Sequence, residues 1–351
     1  TVLNGAGAAA LYGSQASNGA IVVTTKKGKK GVSSVTISNT VTLQNIAFYP
    51  KIQKGFGAGG SAYGFDANGK VYFSYLENQS YGPAFDGLKR ELGAPLEDGT
   101  QDSVLYAYNP GHYDFWNTGI TNQSDVSLTS GDDNSTFYIS GQFVNTQGTT
   151  PGDKYNRASL RLNGTRKIKE SVNVTYSIGY VQNRYDITTQ TGSMYANMLN
   201  MPSNVSITKY KNWKTDPLAN PNGYYNPWYQ NPYFTADNNR SKTRNDYLTG
   251  NVELRFTPIK GLDLVARQGI ATRNFSNKNT VGAFTFTDYA KHTDQSSKSD
   301  IAASVSDGSG FTTELLTDAF GQYNKKIAKD FSLNVVAGIQ IGKDEYGGLA
   351  C

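Results

Sequence analysis

The chain has 351 residues, with 37 Gly, 24 Tyr, 17% charged residues, a formal net charge of +5 and a mean hydropathy of −0.51. This composition is typical of β-rich proteins, and the small, scattered positive charge gives little support to nucleic-acid binding. The absence of any run of 18 apolar residues excludes transmembrane helices but not membrane strands, whose alternating residues keep the average hydropathy low.

The first predicted elements lie in "LNGAGAAALYGSQASNGAIVVTTKKGKKG", residues 3–31. An alanine-rich segment predicts a short helix, Gly13 and Gly19 permit turns, and "AIVVTT" predicts a short buried strand before a run of lysines. Because this stretch lacks the period-two pattern of the rest of the chain, we interpret it as the end of a separate domain. Thr1 follows no initiator methionine and Cys351 is the only cysteine, so we expect an internal or processed fragment.

From residue 32 onward the chain alternates apolar and polar residues with a period of two, which predicts strands. Their lengths suit tilted membrane strands, which need about 9 to 11 residues, better than soluble strands of about 5 to 6. The predicted strands lie near 33–45, 122–130, 135–146, 155–166, 171–184, 245–257, 262–275, 311–325 and 331–344.

The connections between these strands alternate strictly between short and long. The short ones are 131–134, 167–170, 258–261 and 326–330, and the long ones lie near 46–121, 147–154, 185–244 and 276–310. Since alternate connections of antiparallel neighbours lie at opposite ends, this indicates an outer-membrane barrel with short periplasmic turns and long extracellular loops. A large soluble β-sandwich or propeller is the alternative, but such folds do not require all long loops at one end.

The energetic cost of a charge in lipid predicts which face is which. An Arg or Lys that faces lipid at the midplane costs about 2 to 4 kcal/mol. We therefore expect four charged residues to project inward: Arg161, Glu253, Arg255 and Arg267. We expect five aromatic residues near strand ends to form interfacial girdles: Tyr155, Tyr176, Tyr180, Tyr247 and Phe256.

The stretch "AAALYGSQASNGAIVVTTKKGKKG" resembles the end of the plug domain in the SusC/RagA family of TonB-dependent outer-membrane transporters. The positions that match the family pattern are Tyr12, Gly13, Asn18, Gly19, Thr24, Thr25, Lys26, Lys27 and Gly28, whereas Leu11 replaces the commoner Ile or Val. Later segments resemble the same family in the same order: the region from "YDFWNTG" to "NGTRKI", and "NPYF" at 231–234 with the strand pair that follows.

The resemblance implies an all-β membrane protein, namely an antiparallel barrel of about 22 strands around a plug. In this chain, residues 1–31 would be the C-terminal end of the plug domain. Residues 32–351 would be the N-terminal part of the barrel, with about nine strands. The TonB box and most of the plug would precede Thr1, and more than half of the barrel would follow Cys351.

The resemblance also implies function: import of bulky nutrients, either oligosaccharides or peptides, across the outer membrane of a Gram-negative bacterium of the Bacteroidota. The implied partners are a SusD-like surface lipoprotein as a lid, TonB with its inner-membrane energising complex, the lipid bilayer, and a glycan or peptide ligand. A structural or assembly scaffold that keeps the barrel without transport remains an alternative, and a secreted soluble glycan-binding protein is a third.

Candidate binding residues lie in the predicted loop "YYNPWYQNPYF" at 224–234. Four aromatic side chains could stack on a glycan, although loop packing anchored by the prolines is the favoured interpretation: Tyr224, Tyr225, Trp228 and Tyr229. "GFGAGG" at 55–60 has the spacing of a dinucleotide loop but no helix pattern after it, so we interpret it as a flexible loop.

The sequence predicts no enzyme, cofactor or metal site. His112 and His292 are far apart, and we expect both imidazoles at the surface; a His-based zinc site or a His-dependent triad is therefore not supported. The carboxylates of 66–69, 98–102 and 131–134 do not fill a calcium loop, and the chain has neither a nucleophile elbow nor a defined glycosidase pair.

Overall fold

The computed structural model describes residues 2–22, 26–59, 66–293, 298–328 and 331–350. Among the described residues, none of the helices combines the length and apolar character that a membrane span requires. The helices are α1 (Gly5–Tyr12), α2 (Thr191–Leu199), α3 (Pro232–Asn238) and α4 (Asp288–His292). The strands are β1 (Val2–Leu3), β2 (Ala20–Ile21), β3 (Ser33–Gln44), β4 (Lys89–Leu92), β5 (Asp102–Leu105), β6 (Gly119–Gly131), β7 (Ser135–Gln147), β8 (Lys154–Lys169), β9 (Val172–Thr188), β10 (Asn239–Ile259), β11 (Leu262–Val281), β12 (Ser304–Ala328) and β13 (Phe331–Ala350).

Nine of these strands form one open antiparallel sheet within the described residues, in the order β13-β12-β11-β10-β9-β8-β7-β6-β3. We call this sheet the wall. Each of the nine strands predicted from residue 32 onward is confirmed, and the strands are longer than expected, reaching 25 residues in β12 and 21 in β10. Because a strand of a membrane barrel needs only about 9 to 11 residues to cross lipid, the strands of the C-terminal half are much longer than one crossing requires.

The strict alternation of short and long connections is also confirmed. Three wall hairpins close over 132–134, 170–171 and 260–261, and β12 and β13 are separated by 329–330 only. The long connections are 45–118, 148–153, 189–238 and 282–303, of which 148–153 is far shorter than the others. The long connections therefore share one end of the wall and the short turns share the other.

The wall has one apolar and one polar face, because directly opposed residues of antiparallel strands share a face. On β10, Leu248 is opposite Tyr180 of β9, whereas Glu253 is opposite Arg267 of β11. The apolar face carries, among others, Val35, Ile37, Ile139, Leu160, Leu162, Val174, Ile178, Leu248, Val252, Leu254, Leu264, Ile339 and Ile341. The polar face carries Asp125, Arg161, Asn163, Glu253, Arg255, Arg267 and Asp318, so the four charged residues predicted to project inward share it.

Exposure separates the two faces further. Ile339 and Leu160 on the apolar face are 63% and 58% exposed, whereas Asn163 and Asp318 on the polar face are 2% and 8% exposed. Crowded side chains are expected on the concave, lumenal side of a curved wall, and exposed apolar side chains are expected where lipid replaces water. The faces therefore have the character of a membrane barrel rather than of a sheet that buries its apolar side.

Two aromatic residues lie on the face opposite to the one we expected. Tyr155 is opposite Tyr185, and Tyr247 is opposite Arg273, both on the polar face. The guanidinium of Arg273 lies 5.7 Å from the centre of the Tyr247 ring, which gives this tyrosine a polar partner. The expectation that these two residues form an outward girdle was wrong, whereas Tyr176, Tyr180 and Phe256 lie on the apolar face.

In its described residues the N-terminal segment contains the predicted helix α1 and the short strand β2, whereas residues 23–25 of the predicted strand lie outside the described residues. β2 is only two residues long, pairs with β1, and leaves Ile21 76% exposed within the described residues. Gly13 and Gly19 have φ of 77° and 105°, so both turns require a backbone that glycine adopts easily. Thr24 and Thr25 of the predicted plug signature, and Gly60 and Cys351, lie outside the described residues.

Candidate functional site

The long connections 45–118, 189–238 and 282–303 pack together at one end of the wall, and we call this assembly the cap. Its core contains the largest group of buried apolar side chains in the described residues. The core residues are Leu92, Phe115, Met194, Met198, Met201, Val205, Ile207, Tyr210, Ala219, Tyr224, Tyr225, Tyr233 and Ala236. Burial of these side chains holds the long loops in one conformation, so the cap can present a preformed binding surface.

The "NPYF" motif is a structural element of this core. Asn231, which is fully buried, begins α3: its side-chain oxygen accepts a hydrogen bond from the Tyr233 backbone N–H at 3.0 Å. Its amide nitrogen donates to the backbone carbonyls of Tyr210 and Ala219 at 2.7 and 2.8 Å. One side chain therefore satisfies three buried backbone groups and joins three parts of the connection 189–238.

A second polar network joins two of the long connections. Asp102 of β5 is 3% exposed; it accepts a hydrogen bond from the Tyr210 hydroxyl at 2.6 Å and pairs with the ammonium of Lys209. Burial of the phenol, followed by the charge of Asp102, raises the pKa of Tyr210 well above its usual value. Tyr210 therefore stays a neutral hydrogen-bond donor and fixes connection 45–118 against connection 189–238.

The four aromatic candidates of the cap divide into two pairs. Tyr224 and Tyr225 are each 5% exposed, and their rings pack 5.0 and 5.3 Å from the ring of Tyr210. Burial raises the pKa of both hydroxyls. By contrast Trp228 is 37% exposed and Tyr229 is half-buried. Ligand contact by these residues stays a prediction, and Trp228 and Tyr229 are the pair that a ligand reaches without rearrangement of the core.

A cavity of about 450 Å³ lies between the three long connections of the cap. It is lined by Leu96, Asp98, Pro217, Tyr224, Tyr225 and Tyr289, among others. On its wall the ammonium of Lys298 donates to the carbonyls of Asn222 and Tyr224 at 2.8 and 3.2 Å, and burial lowers the pKa of this lysine to about 8. The cavity thus combines aromatic and apolar walls with a few polar groups, as small-ligand sites do.

The polar face of the wall carries a continuous network of ion pairs. Arg267 pairs with Glu253 at 2.7 Å and with Asp318 at 3.4 Å. Arg255 joins the same network through Glu253 and Asp263, each at 3.1 Å. Charges that face lipid cannot be balanced by water, whereas charges on a hydrated lumenal face are balanced by each other and by solvent.

The remaining sequence candidates have local structural roles. Asp66, Asp98 and Asp132 each accept hydrogen bonds from backbone N–H groups two to four residues later, so they stabilise turns. No group of three metal-binding side chains occurs within the part of the chain that the structure describes. Of "GFGAGG", Phe56 and Gly59 form isolated bridges to residues 84 and 80, and the motif does not begin a helix in its described part.

One histidine expectation was wrong. His112 is 1% exposed rather than at the surface, because the short helical turn Pro110–Tyr113 packs against the connection 189–238. Its Nε2 lies 2.7 Å from the Met198 carbonyl oxygen, so Nε2 carries the proton and donates. Burial lowers the pKa of His112. His292 is exposed, as expected.

Comparisons with known proteins give the fold first. The RagAB peptide transporter superposes with a TM-score of 0.62 at 18% identity, covering 99% of this chain and 40% of that chain. The RagAB peptide importer in its open-open state gives a TM-score of 0.64 at 16% identity, covering 98% of this chain and 38% of that chain. The wall and cap thus have the fold of part of the RagAB structures.

Sequence comparison then finds relatives that are named as TonB-dependent receptors. The chain is 26% identical over 274 residues to the TonB-dependent receptor SusC of Bacteroides thetaiotaomicron, covering 73% of this chain and 24% of that receptor. It is 23% identical over 197 residues to the TonB-dependent receptor P39 of Formosa agariphila, covering 49% of this chain and 16% of that receptor. No family model matches the chain. These matches confirm the resemblance to the SusC/RagA family, and the chain spans about a quarter of the length of the SusC receptor.

Proposed function

We propose that this chain is part of an outer-membrane transporter that imports bulky nutrients, either oligosaccharides or peptides, with energy supplied through TonB. The observation that carries the proposal is the two-faced wall: an apolar face exposed over nine strands and a polar face whose charges pair with each other. Relatives named as TonB-dependent receptors support the same activity, and none of those reported above is named as an enzyme.

The proposal assigns residues 1–31 to the C-terminal end of the plug and residues 32–351 to the barrel wall and its loops. The contacts of residues 26–31 support this division. The Lys26 carbonyl accepts a hydrogen bond at 2.8 Å from Asn163, a buried residue of the polar face. A Cβ on Gly28 would approach the carbonyl oxygens of Phe137 and Ser130 to 2.6 and 2.7 Å, so this tail lies directly on the backbone of β6 and β7.

The tail also joins the first wall strand at the end with the short turns. Gly31 donates its backbone N–H to the Gly131 carbonyl at 3.0 Å, and Lys30 pairs with Asp133. A chain that runs along the polar face and then becomes the edge strand β3 has the path expected of a plug that leads into its barrel. The signature residues Lys26, Lys27 and Gly28 would therefore act as a structural joint and not as a ligand site.

In the proposed mechanism the cap captures the nutrient together with a SusD-like surface lipoprotein, and TonB then displaces the plug. Trp228 and Tyr229 are the proposed ligand-contact aromatics, with Tyr224 and Tyr225 behind them in the core. Aromatic faces stack on sugar rings and on peptide side chains, so the same surface suits either nutrient class.

Uptake by cells tests the proposal. A strain that lacks the full-length gene is complemented with the wild-type protein or with a version lacking its TonB-binding segment, and uptake of labelled oligosaccharides and of labelled peptides is measured. We expect only the wild-type protein to restore uptake, and we expect it to restore uptake of one of the two nutrient classes. A version without the TonB segment that restores growth and assembly fully would instead indicate a scaffold without transport.

Partner identity is tested separately by purification from native membranes followed by mass spectrometry. We expect a stoichiometric surface lipoprotein with the full-length protein. Trp228→Ala with Tyr229→Ala should reduce uptake without loss of this partner, whereas Tyr81→Ala, at an aromatic that is 71% exposed elsewhere in the cap, serves as the matched control. Equal uptake by both variants would show that Trp228 and Tyr229 do not contact the ligand.

A further inference from the structure

The apolar face of the wall changes character beyond Leu248, toward the end with the long connections. On this face of β10 the next residues are Asp246, Arg244 and Lys242. Neighbouring strands place further charged residues in the two rows that contain Arg244 and Lys242. We call five cations of these rows the basic patch: Lys154, Arg184, Lys242, Arg244 and Lys278.

The strand register places like charges directly opposite each other within the basic patch. Arg184 of β9 is opposite Arg244 of β10, and Lys242 of β10 is opposite Lys278 of β11. Like charges directly opposite are destabilising in a sheet, and here two such pairs are adjacent. An arrangement that costs stability in the protein alone is stabilised when an anion lies between the cations.

The carboxylates of the region do not neutralise the patch. Arg244 pairs with Asp246 at 2.7 Å, and Lys278 lies 3.7 Å from Asp307. Asp186 lies 3.9 Å from Lys242 but is also held by Arg240 at 2.8 Å. Lys154 and Arg184 form no ion pair with any described residue. Five cations and three carboxylates leave an excess of two positive charges.

The patch is accessible and borders a local depression in the outer face of the wall. The side chains of Lys242, Lys278 and Arg244 are 66%, 54% and 50% exposed. Together with Asn156, Ser276 and Ser309 they border a depression of about 650 Å³ on the wall. Arg and Lys side chains with neighbouring hydroxyl and amide groups are the usual partners of phosphate oxygens.

The height of the patch fits the headgroup layer. Arg244 and Lys242 are four and six residues beyond Leu248 on the same face. At about 3.3 Å per residue and a strand tilt of about 40°, this places them roughly 10 to 15 Å above Leu248, measured along β10. At the boundary the Tyr180 hydroxyl donates to Asp246 at 2.5 Å, which is the arrangement expected of an interfacial tyrosine.

We propose that the basic patch binds the phosphate groups of an anionic lipid in the outer leaflet. The inference rests on the proposed outer-membrane placement, but it concerns the lipid-facing side of the wall and is separate from the nutrient path on the polar face. The bound lipid would neutralise the opposed cations and fix the height of the barrel in the membrane.

Lipid binding by the full-length protein tests this inference. The protein is placed in phosphatidylcholine nanodiscs, and the dissociation constant of fluorescent bis-phosphorylated lipid A is compared with that of the dephosphorylated lipid. The test variant carries Arg184→Gln, Lys242→Gln, Arg244→Gln and Lys278→Gln. The control removes four exposed lysines at the opposite end of the wall: Lys169→Gln, Lys260→Gln, Lys325→Gln and Lys326→Gln.

We expect the test variant to bind the phosphorylated lipid at least about tenfold more weakly than the wild type, and the control to stay within about twofold. The wild type should bind the dephosphorylated lipid as weakly as the test variant does. Equal binding by all three proteins would overturn the proposal, and so would an equal loss in the control, which would show a general charge effect. Displacement of the lipid by equimolar inorganic phosphate would assign the patch to free phosphate.

A change in protein partners is measured in the same samples. Loss of the surface lipoprotein with unchanged lipid binding would assign the patch to a protein contact and contradict the proposal. Folding is checked by heat-dependent gel mobility, and if the fourfold variant does not fold, Lys242→Gln with Lys278→Gln replaces it with an expected loss of about fivefold. Because the readout is lipid binding, an absence of nutrient uptake leaves this test unaffected.

Discussion

The wall and the cap use apolar residues in opposite ways. In the wall most apolar side chains lie on the exposed face, and the opposite face buries polar residues such as Asn163 and Asp318 beside a few small apolar ones such as Val265. In the cap the apolar and aromatic side chains are buried around Tyr210 and Tyr225, as in a soluble domain. A single chain therefore contains one region built for lipid and one region built for water.

The difference shows which interactions stabilise each region. Wall strands are ordered by continuous backbone ladders, and their apolar face gains its free energy from lipid that the protein does not itself supply. The cap gains its free energy from burial and from a few buried hydrogen bonds. Substitutions that are harmless in one region should therefore be costly in the other.

The largest expected effect is in the cap, at Asn231. Asn231→Ala leaves the Tyr210 and Ala219 carbonyls and the Tyr233 N–H without their partner, which should cost about 3 to 5 kcal/mol. Hydrogen exchange of the α3 amides in the full-length protein measures this loss. Asn239→Ala, which removes one half-buried bond to Thr235, is the control and should cost about 1 kcal/mol. Equal losses would mean that Asn231 does not organise the cap.

The next effect distinguishes the two faces of the wall at neighbouring positions. Val252→Arg places a cation on the apolar face and should destabilise the protein in vesicles by about 2 to 4 kcal/mol. Asn251→Arg places the same side chain on the polar face, where it should cost less than about 1 kcal/mol. Urea unfolding in lipid vesicles measures both. A larger loss for Asn251→Arg would reverse the assignment of the faces.

A smaller effect tests the proposed joint between plug and wall. Gly28→Ala adds a Cβ that meets the backbone of β6 and β7, so the tail must shift, at a cost of about 1 to 3 kcal/mol. Gly7→Ala, where a Cβ meets no atom within 4 Å, is the matched control and should be neutral or stabilising. Protease sensitivity of the segment 20–32 reports the shift. Unchanged protease sensitivity in Gly28→Ala would contradict the packing of this segment against the wall.

The smallest effect is a pH dependence of the cap. Burial lowers the pKa of His112 in the folded protein, so the unfolded state binds the proton first as the pH falls. The contribution of His112 is therefore complete above a pH of about 6.5 and is lost as the pH falls through the lower folded pKa. Hydrogen exchange at pH 7.5 and pH 5 should show a less stable cap at pH 5, and His112→Gln should flatten this difference. A cap that gains stability at pH 5 would contradict this account.

Sequence alone predicted the wall well. Period-two alternation and strictly alternating connection lengths located all nine strands, because both follow from backbone geometry that each strand carries locally. The inward positions of Arg161, Glu253 and Arg267 followed from the cost of charge in lipid. The predictions for Tyr155 and Tyr247 were wrong because tyrosine occurs both at lipid interfaces and beside arginine on a lumenal face.

The cap could not be predicted in the same way. Its core depends on contacts between residues far apart in the chain, such as Asp102 with Tyr210 and Asn231 with Ala219. No local period marks such contacts, and "NPYF" indicated a family feature without its three hydrogen bonds. The burial of His112 has the same cause. The basic patch was missed because its like-charged pairs become visible only when the register of β9, β10 and β11 is known.

The central claim is that the wall presents one face to lipid and the other to water. Nitroxide labels placed singly at residues 248–256 of β10, in a cysteine-free background of the full-length protein in vesicles, test it most directly. The account predicts that even-numbered positions are accessible to oxygen dissolved in lipid and odd-numbered positions to a water-soluble nickel complex, in opposite phase along the strand. Access of both reagents in the same phase, or no period of two at all, would contradict it.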